Sequence, residues 1–144
     1  MVNLGDLVGN GDDQSQWDMY FNAAKGIIEG MPHMAVVGNH ETRGDAATAG
    51  KRFSLQFNNP DNGEGALGDL TMADVSHECT KGVITNIKES IYSFDYGNTH
   101  FAVLNSGTDK NENDKSKIMT EQGNWLRDDL NASDKKWKIV MVHI

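Results

Sequence analysis

Three short apolar runs in this chain of 144 residues each end on a side chain able to hold a cation or a phosphate. Val2-Asn3-Leu4 leads into Gly5-Asp6, Met34-Ala35-Val36-Val37 leads into Gly38-Asn39-His40-Glu41, and the run from Trp137 to Val142 ends on His143. Apolar runs this short, bounded by glycine and polar residues, read as buried strands. In open α/β sheets the carboxyl ends of the strands form the ligand crevice, so the three ends are expected to converge although they lie far apart in sequence. The fold class that follows is α/β.

The segments between these runs support that class. Trp17, Tyr20, Phe21, Ala24, Ile27 and Ile28 recur at helical spacing, which predicts a helix from Gln14 to Glu29 with Asp12 or Asp13 as its cap and Gly30-Met31-Pro32 as its stop. Flanked by the first two strands, this helix makes a strand, helix, strand unit of the kind expected in a parallel crossover. A second helix is expected from Asp45 to Phe57. Residues 58–90 open on Asn58-Asn59-Pro60-Asp61-Asn62-Gly63 and are rich in turn formers. They are expected to form an insertion beside the crevice, a substrate lip. Ile91 to Tyr96 and His100 to Asn105 read as two strands of a hairpin turning at Gly97-Asn98-Thr99. Lys110 to Lys117 reads as a solvated charged loop, and Thr120 to Leu130 as a helix capped by Thr120.

Composition narrows the class of function. The length suits a single domain spanning residues 1–144, and 38% hydrophobic with 24% charged residues is a globular balance. No apolar stretch approaches the ~18 residues a membrane helix needs. A net charge of −8 argues against holding nucleic acid by neutralising phosphates. The single Cys79 excludes an internal disulfide. The opening residues lack the pattern of a signal peptide, and localisation stays open.

Each candidate ligand has a plainer reading beside the chemical one. Asp6 offers two carboxylate oxygens that can bridge cations, or a loop cap. Asn39 offers a neutral amide oxygen, or a turn residue. His143 offers an imidazole, the common ligand of zinc, iron and related metals, or a structural strand end. Together they make an incomplete but coherent metal site. His77, Glu78 and Cys79 read as a surface accident rather than a second site, and His33 and His100 as structural. Asn131-Ala132-Ser133 fits a glycosylation acceptor only in a secretory context. Trp17 and Tyr20 read as core.

The ordered set of motifs resembles the calcineurin-like metallophosphoesterases, and more closely their purple acid phosphatase-like branch. The matching parts are Gly5-Asp6-Leu7-Val8 through Gly11, Gly38 to Glu41, Tyr92 to Ser106, Gln122 to Leu126, and Trp137 to His143. The resemblance implies a four-layer α/β/β/α sandwich with mixed sheets and hydrolysis of phosphate mono- or diesters by a metal-bound hydroxide. It implies two metal ions (zinc, manganese, iron or nickel) about 3.5–4 Å apart in the parent enzyme. Asp6 would bridge them, Asn39 and His143 would bind one, and His40 would contact the phosphate and protonate the leaving oxygen.

The departures are specific. The family's upstream Asp-x-His or Asp-x-Gly and its downstream Gly-His-x-His have no counterpart within residues 1–144. At most one partial site and weak or absent turnover are therefore expected. The alternative is a non-catalytic metal- or phosphate-binding module on the same scaffold. A nuclease is disfavoured by the acidic charge. Relatives carry an Asp, or in purple members an iron-binding Tyr, at the position of Gly9, so tyrosinate-to-iron colour is not expected and Asp12 or Asp13 is the candidate to orient His40. Exposed sheet edges would favour a homo-oligomer or strand exchange.

Overall fold

The computed structural model describes residues 1–63, 80–81, 89–106 and 112–143. Strand β1 (Val2–Asn3) runs parallel to β2 (Met34–Ala35), with Val2 opposite Met34 and Asn3 opposite Ala35. The ladder is extended by Met34 N–H donating to Met1 O and Val36 N–H to Asn3 O, both at 2.9 Å. Between the two strands lies α1 (Gln14–Ala23), capped by the Asp13 carboxylate, which accepts from Ser15 N–H at 2.9 Å.

The first helix ends at Ala23 rather than at Glu29. Gly26 takes a left-handed φ of +81°, and a short 3₁₀ turn at Ile28–Gly30 follows. Apolar spacing alone had carried the helix through a residue whose backbone turns the other way. Ile27, counted on the helical face, is exposed.

Strand β3 (Gly44–Asp45) precedes α2 (Ala46–Gln56) and pairs in parallel with β4 (Thr80–Lys81). The helix expected from Asp45 to Phe57 is therefore present, with the Asp45 carboxylate accepting from Thr48 N–H. Strands β5 (Tyr92–Tyr96) and β6 (Thr99–Asn105) form the hairpin, joined through Gly97 at φ +59° and Asn98. Strand β7 (Trp137–His143) joins β6 in parallel, giving a mixed three-stranded sheet in the order β5-β6-β7.

Helix α3 runs unbroken from Glu112 to Ala132. Residues 112–117 are thus helical rather than a charged loop, and Thr120 lies inside the helix instead of capping it. Lysine and glutamate are good helix formers, so charge density was a poor sign of loop here. Much of the expected lip, residues 64–79 and 82–88, lies outside the described residues, as do His77, Glu78 and Cys79. The flanks of that segment are tied down. Buried Asn59 accepts from Ala35 N–H and donates to Ala35 O and Glu89 O, so its amide completes the edge of β2.

The continuous apolar run at β2 explains the layering. Ala35 and Val37 face a cluster containing Trp17 of α1 and Phe53 of α2, whereas Val36 points the other way onto Tyr92, Val103 and Met141 of the three-stranded sheet. A strand buried on both faces has no polar side to spare. The far face of the sheet is covered by α3 through polar contacts: Asp129 accepts from Ser93 Oγ and pairs with His100 Nε2, both at 2.7 Å. The order of layers is helices, strand pair, three-stranded sheet, helix, a mixed α/β architecture. On β7, which pairs only with β6 among the described residues, Trp137 is 60% exposed and Val142 53%.

Glu41, fully buried, fastens the loop after β1 to the loop after β2. One carboxylate oxygen accepts from Asp6 N–H at 2.8 Å and Gly38 N–H at 2.7 Å; the other accepts from Leu7 N–H at 2.6 Å and Val8 N–H at 3.4 Å. Replacing one acceptor oxygen by an amide NH₂ would set donor against donor. Glu41→Gln is expected to lower unfolding free energy by about 3 kcal/mol, measured from the urea midpoint, with retention of wild-type stability as the contrary result.

A second polar group ties the hairpin to α3. His100, 7% exposed, lies between Asp95 and Asp129 with 2.7 Å contacts at both ring nitrogens. Burial opposes its charge, but the hydrogen bonds and charges of the two carboxylates outweigh that and raise its pKa. His100 also holds the Asp95 carboxyl below the usual range, with Lys135 assisting. The histidine's contribution is full below about pH 6.5 and disappears as pH rises through its raised folded value. That of Asp95 is full above about pH 3.9 and disappears as pH falls through its lowered one. Urea midpoints across pH should therefore fall on both sides of a mildly acidic plateau. His100→Gln should cost about 2 kcal/mol on the plateau and flatten the alkaline fall.

Candidate metal centre

Asp6 ends the first strand in an uncommon conformation. Its φ is +57°, in the left-handed region that a non-glycine residue seldom adopts, and it follows Gly5 at φ +87°. The turn brings two backbones together so closely that a Cβ on Gly5 would come within 2.9 Å of both Gly38 Cα and His143 Nδ1. A Cβ on Gly38 would lie 2.5 Å from Asp6 Oδ1. Glycine is required at both positions because a side chain would occupy the space where the loops touch.

In this packing the three strand ends meet. His143 Nε2 lies 3.3 Å from Asp6 Oδ1 and 3.2 Å from Asn39 Oδ1, although Asn39 and His143 are 104 residues apart in sequence. His40 N–H donates to Asp6 Oδ1 at 3.1 Å, and His40 Nε2 stands 3.9 Å from Asp6 Oδ2. Asp6, Asn39, His40 and His143 thus share one site. It is open on one side: the side chains of His143, His40 and Asp6 are 24%, 27% and 36% exposed.

The other ring nitrogen of His143 gives the site its chemical character. Nδ1 lies 2.6 Å from the carbonyl oxygen of Leu4, which can only accept, so Nδ1 carries the proton. In the neutral imidazole, Nε2 then presents its lone pair toward the oxygens of Asp6 and Asn39. An imidazole nitrogen facing a carboxylate oxygen at 3.3 Å and an amide oxygen at 3.2 Å is an arrangement that a cation satisfies. The spacing is close to the edge of a coordination polyhedron with bonds of about 2.0–2.2 Å. A histidine fixed through Nδ1 to a backbone carbonyl is also the usual outer support of a metal ligand. The donor set of one carboxylate, one amide and one imidazole therefore fits a single divalent cation. Among the described residues, no group of three or more His, Cys, Asp or Glu side chains could hold a metal.

The orientation of His40 departs from expectation. Asp13 is engaged as the cap of α1, and Asp12 Oδ2 accepts from Asp45 N–H at 2.8 Å. Neither reaches His40. The Nδ1 atom of His40 instead lies 3.0 Å from the backbone carbonyl of Gly9 itself and 2.9 Å from Nη1 of Arg43. Gln16 Oε1 sets that stretch of backbone by accepting from Gly9 N–H and Asn10 N–H at 2.7 and 2.9 Å. Sequence reasoning missed Gln16, Arg43 and the role of Glu41. Glu41 alone carried a signal, as a charged residue ending a glycine-led loop directly after an apolar strand.

Tyr20 offers no replacement for an iron-binding tyrosine. Its hydroxyl is taken by Asn3 and by His33 Nε2. His33 packs edge-on to Phe57 at 5.2 Å, and burial lowers its pKa, the adjacent N-terminal amine adding to the effect. Asn131 is exposed at the end of α3. Among the described residues no helix is long and apolar enough to cross a membrane.

Comparison with known proteins agrees with the mixed α/β fold. No curated protein and no solved structure matches the chain at a significant level. The family model for the calcineurin-like phosphoesterases matches residues 1–144. The chain belongs to that family, whose members are hydrolases that act on phosphate esters and generally use divalent metal ions.

Proposed function

We propose that Asp6, Asn39 and His143 hold a divalent cation and that the site hydrolyses phosphate esters, with His40 as the proton-donating residue. The purple acid phosphatase-like branch is the subgroup that the motifs favour. The supporting observation is the convergence of His143 Nε2 on Asp6 Oδ1 at 3.3 Å and Asn39 Oδ1 at 3.2 Å, with Nδ1 held 2.6 Å from Leu4 O. When bound, a divalent cation polarises phosphoryl oxygen and acidifies water. The chain's own residues do the rest. The Asp6 turn places both carboxylate oxygens at the strand end, Asn39 adds a neutral oxygen, and the His40 ring reaches over Asp6 toward the space a substrate oxygen would take. Phosphate monoesters and diesters both fit an open site of this kind.

A second reading, a non-catalytic metal- or phosphate-binding module, is favoured by the small donor set among the described residues. Calorimetric titration with Mn²⁺ or Zn²⁺ and hydrolysis of p-nitrophenyl phosphate separate the two. About one equivalent of metal should bind wild type, and Asp6→Asn and His143→Ala should each weaken binding by at least about tenfold. Slow metal-stimulated hydrolysis lost in Asp6→Asn supports the phosphoesterase; binding without turnover supports the module. Absence of metal binding by wild type defeats both. Loaded with iron, the protein should show no tyrosinate charge-transfer band in the visible spectrum, since Gly9 stands where purple members carry their iron-binding Tyr and the Tyr20 hydroxyl is engaged by Asn3 and His33.

A further inference from the structure

His40 Nδ1 has two neighbours with opposite requirements. The Gly9 carbonyl at 3.0 Å can only accept a hydrogen bond, and the Arg43 guanidinium at 2.9 Å can only donate one. A ring nitrogen has a single in-plane position, holding either a proton or a lone pair. It serves one neighbour at a time.

Neither neighbour is free to withdraw through its backbone. Gly9 is set by Gln16, as described above. Arg43 closes a turn in which its N–H donates to His40 O at 3.1 Å, and that same oxygen accepts from Gly11 N–H at 3.0 Å. Asp12 N–H donates to Arg43 O at 3.4 Å. A hydrogen bond from a guanidinium is about twice as strong as one between neutral groups, so the requirement of Arg43 prevails. Nδ1 accepts, and the proton of the neutral ring resides on Nε2, the atom 3.9 Å from Asp6 Oδ2 and facing the candidate cation site.

We propose that Arg43 is a positioning residue that selects this tautomer of His40, so that the ring offers an N–H rather than a lone pair to a phosphoryl oxygen. The proposal rests on the reading of His40 as the group that faces substrate. Without Arg43 the Gly9 carbonyl takes the Nδ1 proton. Nε2 then turns a lone pair toward an anionic oxygen, which repels it.

The test is ¹⁵N NMR of histidine-labelled, metal-free protein at a pH where the His40 ring is neutral. Wild type should show His40 protonated at Nε2, Arg43→Met should show protonation at Nδ1, and Arg43→Lys should restore the wild-type pattern in part. A wild type protonated at Nδ1, or an unchanged tautomer in both variants, overturns the proposal. In steady-state hydrolysis of p-nitrophenyl phosphate, Arg43→Met should lower kcat/KM about tenfold, because the repulsion acts on the bound phosphate as well as on the transition state. An unchanged kcat/KM in Arg43→Met also overturns it. The NMR readout requires neither metal nor turnover. Failure of wild type to bind Mn²⁺ therefore defeats the phosphoesterase reading while the tautomer still decides this one.

Discussion

The geometry of the site depends on a single buried carboxylate. Glu41 draws four backbone N–H groups from two loops onto its two oxygens, and in doing so sets the distance between the end of β1 and the end of β2. Loop backbones carry donors that must be satisfied once water is excluded, and two loops meeting in the interior would otherwise leave several unpaired. A carboxylate is suited to this because it accepts only and has two oxygens to share. Asp6 and Asn39, the side chains on either side of that junction, inherit their separation from it.

Close approach is the second condition. Gly5 and Gly38 bring backbone against backbone, and the left-handed turn at Asp6 delivers its carboxylate to the gap while His40 N–H steadies it. Strain at a residue of this kind persists only where the surroundings hold it, and here Glu41 and His40 both do. The third contributor, His143, arrives from a different sheet. Its position follows from the register of β7 on β6, where His143 stands opposite Asn105, and from docking of the start of β7 against Asn98.

The three-stranded sheet is attached to the rest by an apolar face on one side and a polar network on the other. Tyr92, Val103 and Met141 pack on Val36, whereas Ser93, His100 and Asp95 meet α3 and the segment leading to β7 through Asp129 and Lys135. Apolar burial supplies most of the stabilisation but tolerates sliding; directional hydrogen bonds, here centred on buried His100, fix the register. The network therefore keeps the hairpin aligned with α3, and through β7 the position of His143.

Much of this was legible in the chain. The continuous apolar run at residues 34–37 gave a strand buried from Ala35 to Val37, because burial on both faces removes polar residues from both, whereas the run at 137–142 gave a strand on which only Met141 is buried. The Gly97-Asn98 turn and the second helix followed from local chemistry that needs no partner. Helix ends were less legible. The stop at Ala23 depends on Gly26 adopting positive φ, and the extension of α3 through Glu112–Thr120 depends on charged residues that suit helix and loop alike. Local preference alone determined β1, β2, β5, β6 and β7, the hairpin and the candidate ligands Asp6, Asn39 and His143, but not the pairing of β3 with β4. Tertiary contacts determined what the site residues face: Leu4 O on His143, Gly9 O on His40, and Glu41 beneath Asp6. A hydrogen bond between residues distant in sequence leaves no local pattern, because its partners are chosen by how the layers stack rather than by what adjoins them in the chain.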